Sequence, residues 1–472
     1  MRYVSTRGTA PELGFEDVLL AGLARDGGLY VPKTWPTLSP ATIAGFAGMP
    51  FHQVAVEVLE PLTGGAIPRD ALAEMAKSAY ATFGHPAVTP LVQIGPNRFV
   101  LELFHGPTLA FKDVAMQLLA RLLDYVLTKR GRRATVVGAT SGDTGGAAIE
   151  AFRSTRCADV FILFPHDRVS DVQRRMMTTP SAPHLHALSI DGDFDDCQAR
   201  VKDMFNHLAF RDRLHLSGVN SINWARIAAQ VTYYFVAAVA LGAPHRKVSF
   251  TVPTGNFGDI FAAHVARRMG LPIERLTIAT NSNDILPRTV ATGVYETRRV
   301  VPTSSPSMDI QVSSNFERYL YESSGRDAQG ITHRMASLKQ SGRFELGASM
   351  TAALKADFAA ASADESTIAA TIRQVWHDCG YLLDPHTACA AAASAHNDSA
   401  TPEILLATAH PAKFPDTVKS ITGIHPTLPS RLDRLLTDPE HMTRLPNDIA
   451  AIEAFVTARS SVLTAAPSGC RP

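Results

Sequence analysis

From Thr89 onward, short β-branched runs recur along this chain, each ending in a tight loop and giving way to a helical pattern. Thr135-Val136-Val137 leads into GATSGDTGG and a helix around Gly146 to Arg153. Val160 to Phe164 is a continuous apolar run closed by Pro165. Lys247 to Val252 runs into PTGNFG and the helical AAHVARRMG; Leu276 to Thr280 repeats the theme, and Ile404 to Thr408 is a late strand. Strand, loop and helix in this order need crossover connections, so the strands are expected to lie parallel with helices on both faces. In such α/β folds, ligands bind outside the carboxyl ends of the strands, where these loops lie.

At 472 residues the chain exceeds one simple core, and two or more packed units are expected. Residues 1–90, punctuated by Gly27-Gly28, Pro32, Pro36, Pro40 and Pro50, read as a small helical and loop unit. Residues 91–415 carry the α/β alternation. It is interrupted at about 296–346 by the Ser- and Pro-rich VPTSSPSMDIQVSSNFERYL, an inserted lobe or part of a mobile cover. Gly347 then opens an Ala-rich helix through about Ala361. Residues 416–472 form a C-terminal segment, and its tail TAAPSGCRP is expected to fray.

Lys plus Arg number 45 against 44 Asp plus Glu, a net +1 that offers no electrostatic case for nucleic acid or an anionic membrane. The basic run Lys129, Arg130, Arg132 and Arg133 is expected to complement a helix C-terminus. The longest apolar stretch, Ile227 to Ala243, contains Gln230, Thr232 and two tyrosines and reads as a buried helix rather than a membrane span. The start, MRYVSTRGTAPELGF, lacks the apolar centre of a signal peptide. The five cysteines are scattered and odd in number, without a C-x-x-C pair. Neither a disulfide framework nor a zinc site is expected, and a reducing cytoplasm is the compartment that fits.

Phe104 to Gln117, FHGPTLAFKDVAMQ, is the stretch richest in chemistry. His105, Gly106 and Pro107 read as a loop, Thr108 as the N-cap of a helix running to about Arg130, and Gly131 as its stop. Lys112, Met116, Leu119 and Leu123 share one helical face. Desolvation and the positive end of the helix dipole both favour a neutral lysine amine, the form that attacks a carbonyl. From pattern alone, a lysine snorkelling past an apolar rim remains the commoner outcome.

FHGPTLAFKD resembles the cofactor-lysine segment of the threonine synthases, a branch of the fold type II enzymes that use pyridoxal phosphate. STRG followed by FEDVLLAGLARDGGLYVP resembles their N-terminal signature. The resemblance runs along nearly the whole chain. It implies two α/β domains with parallel or mixed sheets, a pyridoxal 5'-phosphate cofactor, and Lys112 as its Schiff-base lysine.

The loops take roles in the same way. Gly255, Asn256, Phe257 and Gly258 read either as an ordinary strand-to-helix turn or as an anion nest; the resemblance makes them the cradle of the cofactor phosphate. GATSGDTGG reads as a turn capped by Ser141 or Asp143. The resemblance implies that it grips the substrate carboxylate through Ser141 and Thr144, with Asp143 close to the cofactor ring. Thr408, ending its strand in LLATAHPAKF, would face the pyridine nitrogen. NSINWARIAAQ reads locally as a capped helix start with Arg226 facing solvent; the resemblance assigns Ser221, Arg226 and Asn223 to a substrate phosphate. Arg168 matches a family pattern as a weaker candidate, while His105, Asp113, His410 and Lys413 are given no role.

The function implied is conversion of O-phospho-L-homoserine and water into L-threonine and phosphate, by a monomer or homodimer acting on a small molecule. A serine/threonine dehydratase-like lyase shares the lysine and the phosphate loop but has no need of Arg226 and Ser221. A non-catalytic relative that binds the cofactor or phosphorylated ligands is the alternative from another class.

Overall fold

The computed structural model describes residues 1–394, 400–463 and 470. Most of the expected fraying tail lies outside the described residues. Two sheets organise the chain. The larger has six strands in the order Phe358–Ser362, Ile273–Thr280, Val248–Pro253, Glu403–Ala407, Arg98–Glu102 and Leu91–Gly95. Its pairings are parallel except the last, a hairpin of Leu91–Gly95 against Arg98–Glu102. The smaller sheet is wholly parallel, ordered Thr443–Leu445, Leu185–Ile190, Ala158–Pro165, Ala134–Ala139 and Leu216–Ser217. Ala158–Pro165 and Val248–Pro253 are buried along their whole length, which is why Val160 to Phe164 reads as an unbroken apolar run.

The helix Trp224–Ala240 crosses the middle of the main apolar core with nearly every side chain buried. Burying large side chains such as its Trp224 contributes roughly 1.5–3 kcal/mol each. No described helix is long and apolar enough to cross a membrane.

The first 90 residues form a two-stranded ribbon and four helices that dock onto the α/β core. The docking contacts come from the signature residues themselves. Thr6 donates to Glu317 at 2.6 Å and Arg7 pairs with the same carboxylate at 3.0 Å. Asp26 gathers Ser5, Thr9, Ala10 and Gly28, and Lys129 and Arg130 pair with Glu16. That pairing, beyond the helix end alone, is what the basic run does.

Four expectations change. Thr108 is not an N-cap: its N–H and hydroxyl both donate at 2.7 Å to the Asp113 carboxylate, and the helix is Lys112–Lys129 with Phe111 at the cap. The helix after Gly347 ends at Asp357, and Phe358–Ser362 is an edge strand, because these residues pair in register with Leu276–Thr280. The 296–346 stretch is no separate lobe. Asn281 and Asn283 hold Asp309 at 2.8 and 3.0 Å, and Ser313 donates to the Gly255 carbonyl at 2.5 Å. Cys157 and Cys470 form a disulfide across a sequence separation of 313, a contact that spacing along the chain does not reveal.

Candidate active site

An isolated bridge sets the site. Ala110 pairs with Ala409, with the Phe111 N–H on the Thr408 carbonyl at 2.8 Å and the His410 N–H on the Leu109 carbonyl at 3.0 Å. The bridge brings the start of the Lys112 helix beside the carboxyl end of the Glu403–Ala407 strand. The Gly138–Gly146 loop leaves the carboxyl end of a strand in the smaller sheet, and the Gly255–Gly258 loop leaves one in the larger. Both enter helices whose unpaired N–H groups favour anions.

Lys112 is 11 % exposed and its Nζ lies 3.4 Å from Asp143 Oδ2. Burial pushes its pKa down, Asp143 opposes the fall, and the neighbouring charges of Lys413 and Arg226 add to it. Lys413, itself buried, reaches Asp143 Oδ1 at 2.7 Å and the Thr108 carbonyl at 2.8 Å. Burial would raise the Asp143 pKa, but the ammonium groups of Lys413 and Lys112 hold it well below the usual carboxylate range. Gln173 and Ser307 donate to the same carboxylate at 3.0 and 3.1 Å. Asp143 is thus a shared counter-ion, not a cap. Thr140 does the capping, its hydroxyl accepting the Gly142 and Gly145 N–H groups at 2.9 Å. Gly142 has φ +137, and a Cβ there would meet the Gln173 side chain at 2.5 Å, so only glycine fits.

Arg226 is buried rather than solvent-facing. One of its terminal nitrogens donates to the Val219 carbonyl at 3.2 Å, while Nε has no partner. Burial lowers its pKa to about 10. The Ser141, Thr144 and Ser221 hydroxyls are half-buried and make no hydrogen bond among the described residues. Asn223 is largely spent: it caps the Trp224 helix through Ala225 N–H at 3.0 Å and donates to the Leu19 carbonyl at 3.0 Å. Arg168 is exposed. The Thr408 hydroxyl is unbonded among the described residues, so the strand-end backbone bond is not made.

In the Gly255–Gly258 loop, Phe257 holds φ +61 and buries its ring against Phe316, Tyr319 and Phe358, leaving only its backbone to face a ligand. A Cβ on Gly255 would lie 2.9 Å from the Ser307 carbonyl. Ser314 donates to the Asn256 side chain at 3.2 Å.

The chain matches the family model "Threonine synthase N terminus" over residues 2–80 and "Pyridoxal-phosphate dependent enzyme" over 83–404. It matches "Threonine synthase, C-terminal" over 387–456. It is 50% identical to the threonine synthase of Pseudomonas aeruginosa, over 97% of this chain and 98% of that one. The chain belongs to the threonine synthase family. A crystal structure of pyridoxal-phosphate-bound threonine synthase from Brucella melitensis superposes with a TM-score of 0.95 at 58% identity, covering 98% of this chain and 99% of that one. The yeast threonine synthase structure gives 0.91 at 38% identity, covering 97% and 98%. The chain is accordingly a fold type II, pyridoxal-phosphate-dependent lyase of threonine biosynthesis.

The residues present fit the cofactor. Lys112 and Lys413 both face the single carboxylate of Asp143, and the charge of Arg226 reaches Lys112. A threonine synthase needs anions to complete such a cluster, and a phosphorylated cofactor and substrate supply them.

Several site residues were not found from sequence. Asn315 donates to the carbonyls of Ser221 at 3.3 Å and Asn256 at 3.1 Å, stapling the NSINW turn to the Gly255–Gly258 loop. Arg318, fully buried, ties Tyr30 of the N-terminal unit to Ile222 of the NSINW turn at 3.0 and 2.6 Å. Asp384, His386 and Ser307 line the Asp143 side. Asp259, directly after the Gly255–Gly258 loop, takes hydrogen bonds from Tyr233 and Tyr234. The one available signal was the D of PTGNFGD.

Proposed function

We propose that this chain converts O-phospho-L-homoserine and water into L-threonine and phosphate, with Lys112 as its catalytic base. The observation that carries the reading is the buried Arg226 guanidinium, which has no anionic partner among the described residues and lies within Coulombic reach of Lys112. A lyase acting on an unphosphorylated amino acid has no use for such a group.

Pyridoxal phosphate, when bound, supplies the electron sink for charge developing at the substrate Cα. Lys112 Nζ would hold the cofactor, and the Gly255–Gly258 loop, with Asn256 and Phe257 inside it, would hold its phosphate. Thr408 would offer the pyridine nitrogen a neutral hydroxyl. Such a group does not keep that nitrogen protonated as a carboxylate would. Ser141 and Thr144 bind the substrate carboxylate.

Lys112 Nζ, when it is not bonded to the cofactor, would remove the Cα proton and later return it. Its lowered pKa suits a base that must be neutral when it acts. Arg226 and Ser221 bind the substrate phosphate and keep hold of it as it leaves Cγ. Water attacks Cβ only after that departure. The packed 303–315 segment limits its earlier entry.

The division into residues 1–90, 91–415 and 416–472 is part of the same proposal, supported by the docking contacts of the first unit. So is action as a cytoplasmic monomer or homodimer on a small molecule, for which the net charge of +1 offers no competing nucleic-acid or membrane partner. The test is product stoichiometry from O-phospho-L-homoserine in the presence of pyridoxal phosphate. Equimolar phosphate and threonine are expected. Phosphate accompanied by 2-oxobutyrate identifies elimination without water capture and overturns the reading.

A further inference from the structure

Ser307 lies in the Ser- and Pro-rich stretch, far in sequence from every loop assigned above, yet three parts of the site converge on it. Its hydroxyl donates to Asp143 Oδ2 at 3.1 Å, the same oxygen that faces Lys112 Nζ at 3.4 Å. Its N–H donates to His386 Nε2 at 3.2 Å. Its carbonyl closes over Gly255, where a Cβ would come within 2.9 Å. His386 accepts at Nε2, so its proton is on Nδ1, which donates to Asp384 Oδ2 at 2.7 Å. Asp384 is itself locked, accepting the N–H groups of His386 and Thr387 at 2.9 and 3.1 Å. Asp384 and His386 are nearly fully buried, and the His386 ring also rests on Phe414.

We propose that Ser307, held by the Asp384–His386 pair, is a positioning residue that sets how the Asp143 carboxylate is shared between Lys112 and Lys413. This rests on the reading of Lys112 as the cofactor-binding lysine. A hydroxyl hydrogen bond to Oδ2 draws negative charge from the oxygen that faces Lys112 and weakens the hold on its ammonium form. The charged groups facing Lys112 are Asp143, Lys413 and Arg226, and His386 faces Asp143. Of the Asp143 contacts, Ser307 alone supplies a neutral donor to Oδ2; Gln173 donates to Oδ1. Without Ser307, Oδ2 turns wholly to Lys112, the ammonium is stabilised, and the amine becomes available only at higher pH.

Covalent attachment reads this directly. The Nζ lone pair bonds to the cofactor aldehyde carbon and the aldehyde oxygen leaves as water, which requires Nζ to be free of its proton. Full-length chain is stripped of cofactor, titrated with pyridoxal phosphate across pH, and trapped with borohydride; attachment at Lys112 is quantified by mass spectrometry. Ser307→Ala is expected to move the attachment midpoint upward by about one pH unit, roughly tenfold less attachment below the midpoint. His386→Leu is expected to do the same through loss of the N–H anchor, and His386→Gln to restore part of the shift. Should Ser307→Ala fail to fold, the near-isosteric pair Ser307→Thr and Ser307→Val makes the comparison, because the two differ only by the hydroxyl.

An unmoved midpoint in folded Ser307→Ala, or equal midpoints for the Thr and Val variants, overturns the proposal. Attachment at Lys112 is scored apart from threonine production. A chain that attaches cofactor with the expected shift yet makes no threonine therefore contradicts the proposed reaction and leaves the positioning role standing.

Discussion

Lys112 and Asp143 face each other at 3.4 Å in a nearly dry site, and Lys413 holds the other carboxylate oxygen at 2.7 Å. One buried anion thus answers two cations. Removing it leaves both uncompensated, a change that costs more than the pair itself stabilises.

Asp143→Asn is therefore expected to destabilise the cofactor-free chain by about 3 kcal/mol, read from its urea unfolding midpoint. The same variant should attach cofactor at lower pH than wild type, since nothing then favours the Lys112 ammonium. A midpoint moving the other way contradicts the shared-counter-ion account.

Arg226 should separate stability from binding. Arg226→Gln removes a buried guanidinium whose Nε is unpaired, so unfolding stability should hold or rise. The KM for O-phospho-L-homoserine should increase roughly 10- to 100-fold, the worth of a charge-assisted hydrogen bond. A fall in stability with KM unchanged places Arg226 in the scaffold.

Gly255 is tested by one methyl group. Gly255→Ala sets a Cβ at 2.9 Å from the Ser307 carbonyl and 3.0 Å from Ile310 Cδ1. Overpacking of this kind costs about 1–3 kcal/mol. It should appear as weaker cofactor binding in fluorescence titration and faster hydrogen exchange over residues 303–310, with exchange elsewhere unchanged.

His264 gives the chain a pH-dependent weakness. Its ring is buried against Phe261, Tyr319 and Phe358, and burial lowers its pKa to about 4 from an ordinary 6.5. Between those values the unfolded chain binds the proton and the folded chain does not. The contribution is therefore absent above pH 6.5 and destabilises progressively as pH falls toward 4. Relative to wild type, His264→Phe should gain about 2 kcal/mol between about pH 7 and pH 5 in denaturant titrations. A constant difference across that range contradicts it.

The strand–loop–helix order was legible because parallel strands buried on both faces are largely apolar, as Val160 to Phe164 is. Lys112, Asp143 and Arg226 were legible as motif members, though not their meeting through Asp143. Pairings such as Ala110 with Ala409, or Ser307 with His386, join residues far apart in sequence and leave no periodic trace. The Phe358–Ser362 strand was hidden in alanines that suit a helix, and edge pairing decided it. Thr108 looked like a cap because a Thr before a helix usually is one; Asp113 took its hydroxyl instead.

The central claim is that Lys112 is the base and cofactor anchor of a threonine-forming reaction. The most direct measurement compares phosphate and threonine release from O-phospho-L-homoserine by wild type and Lys112→Ala, both supplied with pyridoxal phosphate. Equimolar products from the wild type and neither from the folded variant are predicted. Threonine formed by Lys112→Ala at a rate near that of wild type would contradict the account.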